Sequence, residues 1–241
     1  MKAPRILMYH AFGDTVPEGM NPELCVRPCA FDNQLAVLKK KGYTFLTMTE
    51  LIQQTTGERT SLPIPSSREH ECPHAVKRVA LTFDDGFADN AEIALPILHK
   101  HQAKATIFIA QKNDIPTARM LSDEQLRALA ADQLIELGAH TLNHVNLTHV
   151  DAATAERELA GSKAYVESYT QQPCVSFAYP YGRFTEETVA LVKRLGFRSA
   201  VTVKKGFAPL TDPYRIRRTG VLRSCGGLRF RILLLCGRYR I

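Results

Sequence analysis

The sequence predicts an α/β fold built on a mostly parallel sheet, and three observations carry that prediction. Short β-branched runs alternate along the chain with helical segments of 10–18 residues, the pattern of successive βα units. Two of the runs, RVALTF at 78–83 and KATIFIA at 104–110, are dominated by apolar and β-branched residues, as strands covered by helices on both faces must be. Seven such runs can be counted, too many for a minimal flavodoxin-like sheet and nearly enough for a closed barrel.

Each element has its own justification. RILMY at 5–9 reads as the first strand. Residues 31–41 set Phe31, Leu35 and Leu38 on one helical face, and Gly42 stands where a glycine ends a helix. The chain is extended again over 43–46. After the strand at 78–83, residues 88–101 carry Ile93, Ile97 and Leu98 at helical spacing. Beyond the strand at 104–110, Ser122 with Gln125 forms a capping box that opens a helix to residue 132. A strand at 134–139, a long helix over 151–169 and a strand at 175–178 follow. Thr185 caps a helix that ends at Gly196, and 198–203 is the last strand. Residues 53–76 are polar and proline-bearing, the composition of a surface insertion. The Leu233–Leu235 run reads as core or as a docking strand. There is no internal repeat, no GxGxxG after the first strand and no GxxxxGK[ST], so dinucleotide and P-loop readings have no support.

The 241 residues make one large domain or at most two small ones. With 45% apolar and 23% charged residues, the chain is neither disordered nor collagen-like. No apolar run approaches the 18 or so residues of a membrane span, and the apolar patch near the N-terminus is too short for a signal sequence. The expected location is therefore cytoplasmic. The formal charge of +7 is unevenly spread. Eight arginines and no carboxylate follow Tyr214, which leaves 1–214 with 23 basic and 24 acidic residues, a net charge of −1. A neutral body with a solvated basic end gives no reason to expect a nucleic-acid partner. Six cysteines, Cys25, Cys29, Cys72, Cys174, Cys225 and Cys236, form no CxxC pair. Cys25, Cys29 and the Cys72-Pro73-His74 loop give only a weak zinc signal, and free thiols are the expectation. Oligomeric state leaves no mark in the sequence.

In parallel βα architectures, chemistry gathers where strands end, and four strand ends here carry unusual residues. The first is Thr82-Phe83-Asp84-Asp85-Gly86. Two adjacent carboxylates leaving a buried strand repel each other and lose hydration; a cation bound by one would let the other stay ionised as a base. The plain alternative is an Asp-Gly turn that caps the next helix. The second is His140-Thr141-Leu142-Asn143-His144. Histidines four apart on a helical turn face the same way and can grip one metal ion, although Thr141 replaces the glutamate of an HExxH motif. Asp plus two His makes three ligands with open positions, the form of a catalytic rather than a structural metal site. The third is Phe177-Ala178-Tyr179-Pro180-Tyr181-Gly182, either a packed turn or one that presents a backbone N–H to an oxyanion and aromatic rings to a sugar. The fourth is Met8-Tyr9-His10, where a lone histidine is more often a structural residue than a catalyst and gains meaning only from the other three ends. His70, His74, His99 and His101 read as surface histidines and His149 as a local structural one.

Taken together, TFDDG, HTLNH and FAYPYG resemble, in order, the first three motifs of the polysaccharide deacetylases of carbohydrate esterase family 4. The likeness runs from about residue 2 to residue 218, which implies a catalytic domain over 1–218, with 53–76 as its surface insertion, and a basic tail over 219–241. It implies a distorted, incomplete (β/α) barrel and a metal-dependent hydrolase that removes N-acetyl, or alternatively O-acetyl, groups from a polysaccharide or oligosaccharide. By the same resemblance Asp85, His140 and His144 are the metal ligands and Asp84 is the catalytic base. The Tyr181 N–H contributes to the oxyanion hole, and Tyr179, Pro180 and Tyr181 line the substrate. Two departures stand out. The family's arginine two residues before the motif-three proline is Ala178 here, with Arg218 as the substitute that would orient the base. The usual late Leu-x-x-His is absent. Met8-Tyr9-His10 is similar to the permuted form of the poly-N-acetylglucosamine deacetylases, which makes His10 the general acid.

Zinc is the default cation for two imidazoles and a carboxylate, with Co²⁺, Ni²⁺ or Fe²⁺ also compatible. A non-haem iron oxygenase uses the same ligand set. Its carboxylate, however, normally sits within an HxD/E motif on an all-β scaffold, whereas here it precedes both histidines by more than fifty residues. A non-catalytic carbohydrate-binding module on the same scaffold is the other alternative.

Overall fold

The computed structural model describes residues 3–56 and 77–237. Five elements come first: β1 (Arg5–Tyr9), β2 (Ala11–Phe12), β3 (Cys25–Val26), α1 (Pro28–Lys40) and β4 (Tyr43–Leu46). Next are α2 (Met48–Thr56), β5 (Lys77–Phe83), α3 (Leu95–His101), β6 (Ala105–Ile109) and α4 (Asp123–Ala131). The remainder are β7 (Ile135–Ala139), α5 (Ala152–Thr170), β8 (Ser176–Ala178), α6 (Glu186–Arg194), β9 (Ser199–Val201), β10 (Thr219–Gly220) and α7 (Gly227–Cys236). Every expected strand is present within a residue or two. The capping box at Ser122 and Gln125 opens α4, and Asp151 and Thr185 cap α5 and α6 through the backbone N–H of Thr154 and Thr188.

All strands of the main sheet are parallel, in the order β10-β1-β5-β6-β7-β8-β9. β5 carries β1 on one edge and, on the other, β4 beside its first half and β6 beside its second. The sheet curls into an incomplete barrel, as the family resemblance implied. A single irregular stretch joins its two ends. Thr202 N–H donates to Ile216 O (2.8 Å), Ile216 N–H to Ala200 O (3.0 Å) and Arg218 N–H to Lys204 O (3.2 Å), and at the next residue Thr219 aligns with Leu7 of β1.

Strand alternation sorts the core into two. Leu7, Tyr9, Val79, Leu81 and Phe83 face outward into a large cluster with Leu35 of α1, Leu129 of α4, Leu159 of α5, Val192 of α6 and Phe230 of α7. Ile6, Ala80, Phe108, Ala178, Val201 and Ile216 face inward and pack with Met48, Leu51 and Ile52 of α2. Helix α2, absent from the sequence prediction, thus plugs the barrel from below. Its first N–H groups are held by the strands: Met48 donates to Thr106 Oγ1 and Thr49 to the Glu136 carboxylate, both at 2.9 Å, which also sets a negative charge at the helix N-terminus.

Three expectations need correction. The helix over 88–101 is a π-helical turn at Asn90–Ala94 followed by α3, because Pro96 has no N–H to continue the α-helical ladder. The Leu233–Leu235 run is not a strand but part of α7; Leu233 and Leu234 are core, as the other alternative had it, and Leu235 is exposed. The arginines after Tyr214 are only partly a solvated end: Arg217, Arg229 and Arg231 are exposed, while Arg238 and Arg240 lie outside the described residues. Arg218 is buried, and Arg223 donates to Gly13 O, Cys25 O and Asp14 O at 2.6–3.0 Å, which ties the segment to the β2–β3 loop. Thr219 and α7 are likewise built into the sheet and the outer core, so the packing has no counterpart of a boundary at 218.

Residues 53–56 belong to α2; the rest of the expected insertion, with His70, Cys72 and His74, lies outside the described residues. The five described cysteines are free thiols. His101 is not a surface residue, since its ring is largely buried against Asp32 at 2.6 Å, while His99 contacts Asp132 at the same distance. No helix among the described residues is long and apolar enough to cross a membrane.

Candidate active site

The site is built upward from the inward face of β5. Ala80, Thr82 and Asp84 follow one another at a spacing of two, so all three point into the barrel. Ala80 belongs to the apolar plug. Thr82 and Asp84 meet Arg218, which enters from the stretch that joins the sheet's ends. Arg218 Nη1 and Nη2 donate to Asp84 Oδ1 and Oδ2, each at 2.6 Å. Nη1 also reaches Thr82 Oγ1 (3.0 Å), Nε reaches Thr202 O (3.0 Å), and the guanidinium lies 5.6 Å from the Phe108 ring centroid. Burial raises the Asp84 carboxyl pKa, but the charge and hydrogen bonds of Arg218 outweigh it, with His140 and His10 adding to them, so the net direction is downward. Asp84 is therefore an ionised carboxylate almost sealed from water.

Asp85 lies above this layer. The backbone turns sharply there, with φ of 77° at Asp85 and 78° at Gly86, and sends the second carboxylate toward β7. Six described residues other than glycine have positive φ. Gln102 and Gln171 end helices; the other four are Asp85, Thr141, His144 and Tyr181. Such backbone costs about 1–3 kcal/mol per residue and persists where surroundings enforce it, and here it falls on the strand-end motifs.

His140 Nε2 and His144 Nε2 lie 3.4 and 3.2 Å from Asp85 Oδ1. The three ligating atoms all fall within 4.8 Å of one another, the one such group of three found among the described residues. Each ring is oriented from behind. His140 Nδ1 is 2.7 Å from Ala178 O, and His144 Nδ1 is 3.5 Å from Asp114 Oδ2. A carbonyl can only accept, so the Nδ1 of His140 carries the proton and its Nε2 turns a lone pair toward the Asp85 carboxylate. That arrangement calls for a proton or a cation between them, and two imidazoles with one carboxylate are a fitting donor set for a divalent metal.

Two carboxylates that the motifs did not reveal complete the frame. Glu158 of α5, buried, accepts from Leu142 N–H and Asn143 N–H (both 2.9 Å) and from Asn143 Nδ2 (2.7 Å), which fixes the loop between the two histidines. Its signal in the sequence was a glutamate on the core face of α5, beside Ala155, Leu159 and Ser162. Asp114 accepts a short hydrogen bond from Tyr181 Oη and backs His144; an exposed loop aspartate leaves no pattern to find it by.

The remaining expected residues divide. His10 ends β1, half-buried, and its charge acts on both Asp84 and Asp85. Tyr181 stands at the rim, 46% exposed, its ring 4.6 Å from that of His144. Gly182 follows with φ of 64°, and a Cβ there would lie 2.4 Å from Val203 Cγ2 and 2.8 Å from Val203 N, so the close approach of the two loops requires glycine. Tyr179 and Pro180 are corrections. Both are buried, and the Tyr179 ring packs between Phe177 and Phe184 at 5.2 and 4.7 Å. They support the turn from beneath, while the exposed ring is that of Tyr181.

Comparison with known proteins agrees with this architecture. The family model described as polysaccharide deacetylase matches residues 72–200. The Bacillus subtilis (strain 168) protein YxkH, which carries a polysaccharide deacetylase name, is 30% identical over 226 residues, 93% of this chain and 74% of that protein. A poly-beta-1,6-N-acetyl-D-glucosamine N-deacetylase of Staphylococcus aureus (strain MRSA252) is 24% identical over 78% of this chain, which spans only 64% of that relative's length. The solved structure of Streptococcus pyogenes deacetylase PplD in complex with acetate superposes with a TM-score of 0.79 at 30% identity, covering 99% of both chains. A barrel of this topology, a buried Asp-His-His group at its mouth and these matches together place the chain in the polysaccharide deacetylase family.

Proposed function

We propose that this protein is a metal-dependent N-deacetylase of an acetylated amino-sugar oligomer or polymer, with O-deacetylation as the lesser alternative. The observation that carries the reading is the convergence of Asp85, His140 and His144 directly above an Asp84 carboxylate that Arg218 keeps charged. A divalent cation held by those three residues, zinc by its donor preference and Co²⁺, Ni²⁺ or Fe²⁺ as alternatives, would supply Lewis acidity at the acetyl carbonyl and lower the pKa of an attacking water.

Asp84 takes the proton of the attacking water. Arg218 occupies one lone pair on each carboxylate oxygen and leaves another free, so the pairing orients the base without blocking it. The Tyr181 N–H faces the oxyanion that forms at the acetyl carbon, a donor of the kind worth about 3–4 kcal/mol to a transition state. His10 then delivers a proton to the amine nitrogen as the C–N bond breaks, since an unprotonated amide nitrogen is a poor leaving group. The Tyr181 ring offers a stacking surface for the sugar.

The test is release of acetate from N-acetylglucosamine oligomers. Activity that disappears with chelator, returns with a divalent metal and is lost in Asp84→Asn is the expected result. Binding of oligomers without any acetate release under metal-replete conditions would overturn the enzymatic reading in favour of a carbohydrate-binding role.

A further inference from the structure

Beside the catalytic turn lies a cavity of about 420 Å³, within the range of small-molecule sites, roughly 300–1,000 Å³. Two of its lining residues touch the catalytic frame. Gly182 directly follows Tyr181, and Thr202 accepts the Nε–H of Arg218 through its carbonyl. Three cations, Lys204, Arg215 and Arg217, and one carboxylate, Asp212, line the cavity. Arg215 is paired with Asp212 at 2.7 Å and with Glu186 beyond the lining, a trio of net charge −1 that leaves the neighbourhood at +1. Lys204 and Arg217 also line it, are exposed, and make no ion pair among the described residues. The hydrogen bond from Arg218 N–H to Lys204 O holds their two backbone stretches side by side. Strand-like alternation sends Arg218 inward to Asp84 and Arg217 outward to the cavity. Phe184, Pro209 and Leu210 supply an apolar floor.

Two cations without an ion-pair partner among the described residues, at the edge of an apolar floor, are suited to an anion carried on a carbohydrate. We propose that this cavity is a subsite for an acidic substituent, a carboxylate or a phosphate, on the sugar adjoining the one deacetylated, so that the substrate class is an anionic acetylated saccharide. The inference rests on the deacetylase reading and deepens it. The same two charges repel an ammonium group, so a neighbouring sugar already stripped of its acetyl group is disfavoured there.

The experiment compares acetate release from three oligomers of equal length: neutral N-acetylglucosamine units, units alternating with glucuronic acid, and units bearing a phosphate ester. Expected is a kcat/KM about tenfold higher for at least one acidic oligomer than for the neutral one; which of the two is preferred identifies the anion. In the double variant Lys204→Ala, Arg217→Ala that preference disappears, with neutral-oligomer activity and Tm unchanged, while Arg217→Lys retains most of it. Equal rates on all three oligomers, or a double variant that loses neutral and acidic activity alike, would overturn the subsite. Should no oligomer release acetate, the deacetylase reading fails on its own. Direct binding of the acidic and neutral oligomers to the Asp84→Asn protein then decides the subsite separately, since its charge preference must persist without turnover.

Discussion

Arg218 and Asp84, 134 residues apart in the chain, are joined by two parallel hydrogen bonds of 2.6 Å with neither side chain meaningfully exposed. The pair lies beside the stretch that joins β9 to β10 and so to β1, and the carboxylate proposed above as the base and the closure of the barrel depend on the same contact. Replacing Arg218 with methionine leaves a buried carboxylate unpaired, which costs about 3–5 kcal/mol. The expected result is a urea midpoint lowered accordingly and loss of deacetylation. Adding Asp84→Asn to the same protein removes the stranded charge and should recover a large part of that stability without any recovery of activity. A double variant as unstable as Arg218→Met alone would show that Arg218 matters for packing rather than for holding Asp84.

What the sequence disclosed depended on how local the signal was. Strands such as β5 and β6 announced themselves because apolar content and β-branching act within a few residues. Asp85, His140 and His144 stood out because each lies at the end of such a strand. Arg218 was identified only as a stand-in for the arginine missing at Ala178; nothing near it in the chain points to Asp84. Helix α2 escaped although Thr47 and Glu50 form a reciprocal capping box at its start: its MTELIQQTT stretch is only nine residues long, and Thr106 and Glu136 from distant strands hold its first N–H groups. The segment after Arg218 looked like a solvated tail because arginines read as surface, whereas Arg223 spends its donors on backbone carbonyls of the β2–β3 loop. Tyr179 looked like a sugar platform, and only its packing against Phe177 and Phe184 shows that it is core.

Glu158 holds the loop between the two histidines with three accepted hydrogen bonds. Glutamine in its place keeps the shape but offers one acceptor oxygen where two are used, so one of the three part-buried donors loses its acceptor. Glu158→Gln is expected to lose about 1–3 kcal/mol of stability. Groups that orient metal ligands typically change affinity by 10–100-fold when replaced, so the variant should also need that much more metal to reach half-maximal activity. Titration of the metal-stripped protein, read both as activity and as the rise in Tm on metal addition, checks this. Unchanged metal affinity with lowered Tm would reduce Glu158 to a packing role.

Asp89 gives the stability a pH dependence of unusual sign. It is largely buried beside Phe12 and Asn90, and burial pushes its carboxyl from 3.8 up to about 7, against hydrogen bonds from the Phe12 N–H and Asn90 that lower it. Between about pH 4 and pH 7 the folded chain holds this proton and the unfolded chain does not. Unfolding therefore releases a proton, and this group's contribution to stability falls as pH rises through that window. A carboxyl displaced that far changes stability by at most about 4 kcal/mol across it. Asp89→Asn abolishes the effect, so the difference in unfolding free energy between variant and wild type should move in the variant's favour from pH 4 to pH 7 and stay level above it. A difference that does not change with pH would show that Asp89 titrates normally.

His10 sits where its charge reaches both aspartates, and its own carbonyl is pinned by Asn90 Nδ2 at 2.9 Å, so the end of β1 holds the residue in place. A proton donor matters according to what departs. An amine cannot leave an acetyl carbon unprotonated, whereas a nitrophenolate leaves readily without help. His10→Ala should therefore lower N-deacetylation of an amino-sugar oligomer by about 10²–10⁴-fold, yet reduce hydrolysis of 4-nitrophenyl acetate far less. Metal content serves as the control, because His10 is not among the three residues placed to hold the ion. If both substrates suffered equally with metal content intact, the histidine would be acting on the attack step, which the two reactions share, and the proton for the departing nitrogen would have to come from another group.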